Sequence, residues 1–140
     1  MLSHLEEHLK RAGLNGPFLI VSQPRIFKAV GQDLKKRFPV VLIPDGERAK
    51  NLRTVSRLLE HVAAIGMTRQ STLIALGGGV VGDITGFVAS LYMRGIAVVQ
   101  VPTTLLAQVD SSIGGKTGIN FRSVKSAISC VDFIGLPQTV

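Results

Sequence analysis

The sequence predicts an α/β fold, a Rossmann-like parallel sheet flanked by helices, on three observations. Helical stretches alternate with short, predominantly apolar runs, at residues 17–21 (PFLIV), 39–43 (PVVLI), 71–76 (STLIAL) and 96–101 (IAVVQV). Strands that are apolar on both sides, not alternately, belong to a sheet covered on both faces. A glycine run, Gly77-Gly78-Gly79, directly follows the third of these strands and opens a helix. Polar residues also collect just past three strand ends: Asp45, Glu47 and Lys50; the glycines and Asp83; then Thr103, Thr104, Asp110 and Lys116. Open parallel sheets bind ligands beyond the carboxyl ends of their strands, so this convergence outweighs any single motif.

The elements follow in order. Leu2, Leu5, Leu9 and Ala12 keep helical spacing, and Gly13 ends that helix. Residues 17–21 form a strand, and Pro24 starts a second helix with Ile26, Phe27, Val30 and Leu34 inward. After the strand at 39–43, Pro44-Asp45-Gly46 is a turn. A third helix carries Leu52, Val55, Leu58, Leu59, Val62 and Ile65 on its inner face and closes at Gly66. The glycine turn opens a helix that runs to about Met93, and Gly82, Gly86 and Ser90 lay a small-residue stripe along it for close packing against a sheet or a flat ligand. Arg94-Gly95 turns the chain into the strand at 96–101. Residues 111–120 (SSIGGKTGIN) are glycine-rich and polar.

Composition narrows the function. The chain has 140 residues, 46% hydrophobic and 18% charged, enough for one domain with a core. No apolar run approaches the roughly 18 residues that a membrane span needs, and two glutamates near the start argue against a signal peptide. The single Cys130 excludes an internal disulfide and suits a reducing cytoplasm. The net charge is +7, but tryptophan is absent and only one tyrosine occurs. Arg25, Lys28, Lys35, Lys36 and Arg37 therefore read as a solvated face, with an anionic small substrate favoured over nucleic acid or membrane.

Gly77, Gly79 and Gly82 fit G-x-G-x-x-G, in which glycine lets backbone amides approach a phosphate at a helix N-terminus. Two features depart from the dinucleotide fingerprint. The motif follows the third strand, and position 100, where an acid for the ribose belongs, is Gln100. Asp45 and Glu47 could take ribose hydroxyls with Lys50 pairing a phosphate or fixing the carboxylate, or they could be a turn and a dipole-favoured first-turn acid. Asp83, placed in the first turn of its helix, invites the same structural explanation, or faces a hydroxyl or amide of a ligand. Gly114-Gly115-Lys116-Thr117 is not a P-loop, because its first glycine would fall at Asp110; it could still hold a phosphate or carboxylate. His4, His8 and His61 lie on surface helix positions, and no spacing makes a metal site.

The stretches GGGVVGDITGFVASLYMRG and VPTTLLAQVDSSIGGKTGIN together resemble the 3-dehydroquinate synthase family, as does PDGERAKN. The resemblance runs from about residue 17 to 120. It implies a fold of the glycerol dehydrogenase-like superfamily, a bound NAD, a zinc or cobalt ion, and a phosphorylated sugar acid, 3-deoxy-D-arabino-heptulosonate 7-phosphate, as substrate. NAD oxidises a ring hydroxyl transiently, phosphate is eliminated from the acidified neighbour, and reduction and aldol closure follow. Asp45, Glu47, Lys50, Gly78, Gly79, Val80, Val81, Gly82, Asp83, Thr103, Thr104, Lys116 and Lys125 match cofactor contacts. Asp110, Lys116 and Arg94 match catalytic positions, Arg94 reaching the phosphate side across a homodimer interface.

The resemblance also implies a longer chain. Residues 1–140 correspond to its NAD-binding domain, and the helical domain that holds the metal ligands, a glutamate and two histidines, is expected to be lacking, leaving this chain inactive alone. Where the family reads close to His-Pro-Leu-Gly-Lys-Asn after the asparagine, this chain has Phe121-Arg122-Ser123-Val124-Lys125-Ser126. Residues 121–135 are therefore a diverged loop or a local frame slip. A related sugar-phosphate cyclase, a polyol dehydrogenase, or an inactive nucleotide-binding or dimerisation module are the alternatives.

Overall fold

Five parallel strands form the sheet, in a computed structural model that describes residues 4–108, 117–130 and 138–139. Helix α1 (Leu5–Arg11) leads to β1 (Phe18–Ser22), and Gly13 at φ 74° turns the chain between them. Then come α2 (Pro24–Ile26), β2 (Val40–Leu42), α3 (Leu52–Ala64), β3 (Thr72–Gly77), α4 (Gly79–Leu91) and β4 (Ala97–Pro102). A hairpin of β5 (Thr117–Phe121) and β6 (Val124–Cys130) forms its own two-stranded sheet packed against α4, and β7 (Gln138–Thr139) adds to the β4 edge, so that the large sheet runs β2-β1-β3-β4-β7.

The two faces of the sheet separate by the two-residue strand period. Leu19 and Val21 of β1, Leu73 and Ala75 of β3 and Val98 of β4 pack with Val55, Leu58 and Val62 of α3 and Val81, Ile84 and Val88 of α4. Ile20, Ile74, Leu76, Val99 and Val101 turn the other way, onto Leu5, Leu9, Phe27 and Leu34. All six residues of β3 are buried, Thr72 included, as its largely apolar run predicts. Each such leucine or isoleucine contributes roughly 1.5–3 kcal/mol of burial, so β3 is the anchor on which the glycine turn is mounted.

Several expectations need correction. The second helix is not continuous: α2 runs into a π-type turn over Phe27–Gly31 and a 3-10 segment over Gln32–Lys36. Phe27 folds over Gly31, where an added Cβ would lie 2.3 Å from the ring, and Val30 is turned out to solvent. In α3, Leu52 and Ile65 are also exposed because they sit at its two ends, while Val55, Leu58 and Val62 carry the inner face. Helix α4 stops at Leu91, and a 3-10 turn over Tyr92–Arg94 follows with Met93 at φ 46° and Arg94 at φ 67°. Residues 117–120, part of the stretch read as glycine-rich and polar, are strand β5, a pattern that Gly118 and Asn120 hide in the sequence. Leu2 lies outside the described residues.

Among the described residues no helix is long and apolar enough to cross a membrane.

Candidate functional site

The chain reverses its direction of growth at β1. Strand β2 lies on one side of β1 and β3 on the other, so the carboxyl ends of β1 and β3 border the switch point, where an open α/β sheet leaves a crevice. This resolves the objection to the glycine motif. Third in sequence, β3 is central in space, and its end sits beside that of β1 in register, Ser22 opposite Leu76.

The glycine turn is built for close approach. Gly77 ends β3, and a Cβ there would lie 2.5 Å from Val81 Cγ2, so only glycine lets the helix begin at once. Gly78 is the N-cap of α4 in an extended conformation and offers no side chain to the helix's first amides. Those amides, beginning at Gly79, are left to a ligand, and with the helix dipole they favour an anion. A Cβ on Gly78 would reach within 3.3 Å of Thr104 Cγ2, so this glycine also keeps a gap between the β3 and β4 ends. Thr103 N–H donates to Gly77 O at 3.0 Å, fastening those two ends together. Thr104 Oγ accepts from Ala107 N–H at 3.2 Å, which leaves its hydroxyl proton for a ligand. Val80 is half-buried, whereas the Val81 side chain is wholly buried in the core, so Val81 can meet a ligand only through its backbone. Gly82 settles the small-residue stripe in favour of the sheet: a Cβ there would lie 2.7 Å from Gln100 Oε1 of β4.

The acidic turn after β2 reaches the same place. Gly46 adopts φ 83°, which suits the turn, and Gln23 at the end of β1 donates from Nε2 to Pro44 O at 2.9 Å. Lys50 then carries its ammonium to Asp83 Oδ2 at 2.7 Å, with Glu47 Oε1 at 3.7 Å. The Lys50 side chain is 8% exposed and that of Asp83 23%. An ammonium so enclosed needs a counter-charge, and the two carboxylates supply it. Asp83 is the fifth residue of α4, not a first-turn acid, so its placement is explained by Lys50 and not by the helix dipole. The pairing also removes the repulsion that a bare carboxylate would exert on a phosphate at the glycine turn.

Glu47, Lys50, Gly78, Gly79, Val80, Gly82, Asp83, Thr103 and Thr104 thus gather at adjoining strand ends. Asp45 is exposed on the turn. Lys125 is exposed on β6. Arg94 lies past the far end of α4, a helix of 13 residues and so about 20 Å from the glycine turn. Asp110 and Lys116 lie outside the described residues. The sequence reading missed three residues at this site. Ser22 donates from Oγ to Leu76 O at 2.7 Å and Gln23 anchors the acidic turn; both follow an apolar strand and precede Pro24, which was the available signal. The third, Asn120, donates to both Lys50 and Glu47.

Residues 40–136 match the sequence profile of the family described as 3-dehydroquinate synthase N-terminal. The chain is 48% identical over 134 residues to a 3-dehydroquinate synthase of Thermodesulfovibrio yellowstonii, covering 91% of this chain and 37% of that relative. Among solved structures it resembles a 2-deoxy-scyllo-inosose synthase complexed with carbaglucose-6-phosphate, NAD+ and Co2+, at 29% identity and a TM-score of 0.78 over 96% of this chain and 39% of that one. It also resembles a 2-epi-5-epi-valiolone synthase of Streptomyces hygroscopicus with NAD+ and Zn2+ bound, at 32% identity and a TM-score of 0.79, covering 91% and 37% of the two chains. The present chain therefore spans little more than a third of the length of these relatives, and within that span it belongs to the 3-dehydroquinate synthase N-terminal family.

Proposed function

We propose that this chain forms the NAD-binding half-site of a 3-dehydroquinate synthase, acting on 3-deoxy-D-arabino-heptulosonate 7-phosphate in aromatic amino acid biosynthesis. One observation carries the reading: an uncapped helix N-terminus at the sheet's switch point, flanked by a lysine–carboxylate pair. The residues fit the cofactor. Gly78 and Gly79 give the close backbone approach that a pyrophosphate needs, and Gly78 is a cradle that a Cβ would begin to fill. Bound NAD supplies a hydride acceptor, which makes the carbon acid next to the oxidised centre more acidic. The chain's own residues bind and orient. Amides of the glycine turn hold the pyrophosphate. Asp83, fixed by Lys50, accepts from a hydroxyl or amide on the nicotinamide side. Asp45 and Glu47 take ribose hydroxyls, and Thr103 and Thr104 close the β4 side. By the family resemblance, Lys125 and Lys116 would add cationic contacts, and Asp110 and Lys116 would serve the substrate.

A metal does not fit the described residues, none of which form a cluster of three His, Cys, Asp or Glu side chains. In the family reading those ligands belong to the helical portion beyond this span, and this chain alone turns over no substrate. Arg94, remote from its own glycine turn, would serve the phosphate side of a second copy in a homodimer. Residues 121–135 are read as sequence divergence, with residues 121–130 on the β5–β6 hairpin, and the single cysteine suits the cytoplasm.

Calorimetric titration of the 140-residue chain with NAD tests the half-site. Saturable binding that does not depend on added zinc is expected, and no heat of binding up to millimolar NAD would overturn the reading.

A further inference from the structure

Strand β5 begins directly after Lys116 and packs against α4. Its fourth residue, Asn120, makes two contacts with the acidic turn. The backbone N–H donates to Lys50 O at 2.8 Å, and the side-chain Nδ2 donates to Glu47 Oε1 at 3.3 Å. Glu47 in turn lies 3.7 Å from the Lys50 ammonium, which bonds Asp83 at 2.7 Å. Three separate segments, the turn after β2, helix α4 and strand β5, are therefore joined through four consecutive polar contacts.

We propose that Asn120 is a positioning residue: its amide orients the Glu47 carboxylate, holds the Lys50 turn closed, and so fixes the Lys50–Asp83 pair for the cofactor. The inference rests on the NAD reading. The residue type follows from the chemistry. The group facing Glu47 must donate and carry no negative charge, and an amide does both. Glu47 is otherwise half-exposed, with a side-chain exposure of 53%, and without a donor it is free to swing into water. The enclosed Lys50 would then keep one carboxylate where it now has two. The backbone bond from residue 120 survives any substitution except proline, so the side chain's task is orientation and not the pairing of β5.

Two readouts test this in the intact chain. The first is NAD affinity by calorimetry. Asn120→Asp, which sets a second carboxylate against Glu47, lowers it about tenfold, and Asn120→Ala lowers it about threefold. The second needs no cofactor. Amide exchange at Ala49 and Lys50, which donate to Gly46 O and Glu47 O, quickens in both variants, while exchange in β3 does not change. In the double variant Asn120→Asp/Glu47→Gln the donor and acceptor exchange places. Protection at Ala49 and Lys50 then returns, and the two substitutions are strongly non-additive. A merely structural asparagine gives additive losses and exchange that rises in β3 as well, which would overturn the proposal. Wild-type chain that binds NAD beside variants of unchanged affinity and exchange overturns the positioning role alone. Wild-type chain that does not bind NAD overturns the cofactor reading and the effect on affinity with it.

Discussion

Helices α3 and α4 are both 13 residues long and lie on the same face of the sheet, yet their N-termini are finished in opposite ways. Helix α3 is capped by Asn51, whose Oδ1 accepts from Thr54 N–H at 2.9 Å. Its buried residues are confined to one stripe, Thr54, Val55, Leu58 and Val62. Helix α4 is buried on nearly every side, from Val81 to Ala89, and its N-cap is a glycine with no side chain to give. The more deeply packed helix is thus the one whose terminal amides are left without a cap. Packing from the sheet stabilises α4 without a cap, and the amides that a cap would occupy remain available for an anion. Where a helix start is conspicuously unfinished inside a well-made core, the missing partner is best sought in a ligand.

That contrast can be inverted by substitution. Gly78→Asp gives α4 the kind of cap that α3 has. The extended backbone at this position is the one an N-cap side chain requires. Thermal unfolding is expected to move by no more than a few tenths of a kcal/mol either way, since glycine is already a tolerable N-cap and the new Cβ would press on Thr104 Cγ2 at 3.3 Å. NAD affinity should fall at least tenfold, about 1.4 kcal/mol, because a carboxylate would occupy the amides meant for the pyrophosphate. A cap that leaves affinity intact would show that the cofactor does not use this helix start.

The converse substitution removes a cap where no ligand is expected. Asn51→Ala strips α3 of its acceptor and should cost about 1 kcal/mol, lowering Tm by roughly 4 °C for a chain of this size. Asn51 Nδ2 also donates to Arg48 O in the acidic turn, so NAD affinity should fall by up to about threefold, well short of the loss expected for Gly78→Asp. If the two variants move stability and binding together, the division of labour between the helices is wrong.

The same contrast explains what the sequence made legible. Strands and helices were readable because burial on both faces leaves unbroken apolar runs, and the glycine turn and polar strand ends were readable because they interrupt those runs. Sheet order was not readable, and it is what moves the third-strand motif to the switch point. The Lys50–Asp83 contact spans 33 residues and follows from that order. Strand β5 was hidden because Gly118 and Asn120 resemble loop residues until the hairpin partner is seen. The second helix failed for a local reason: its apolar spacing was right for Phe27 and Leu34, but Gly31 lets Phe27 fold over the backbone, which winds the segment into π and 3-10 turns.

The smallest effect concerns the opposite face of the sheet, where no ligand is proposed and charge serves only to join elements. Arg37 Nε donates to Glu6 Oε1 at 3.0 Å, tying α1 to the segment before β2. That hydrogen bond, helped by the guanidinium charge, holds the Glu6 carboxyl below its ordinary value of 4.5. A carboxyl depressed in the folded state contributes stability above its unfolded value and loses it as pH falls through the folded one. The pair is solvent-exposed, so its contribution is small and shrinks with salt. Glu6→Gln should therefore unfold slightly more easily than wild type near neutral pH at low salt, and the difference should shrink as pH falls below the ordinary carboxyl value of 4.5 and vanish once the folded-state carboxyl is protonated, or in high salt. A difference that persists in acid would mean the pair acts through packing, for Arg37 also lies 5.8 Å over the Phe38 ring. In either case NAD affinity should not respond, because this face is separated from the glycine turn by the full thickness of the sheet.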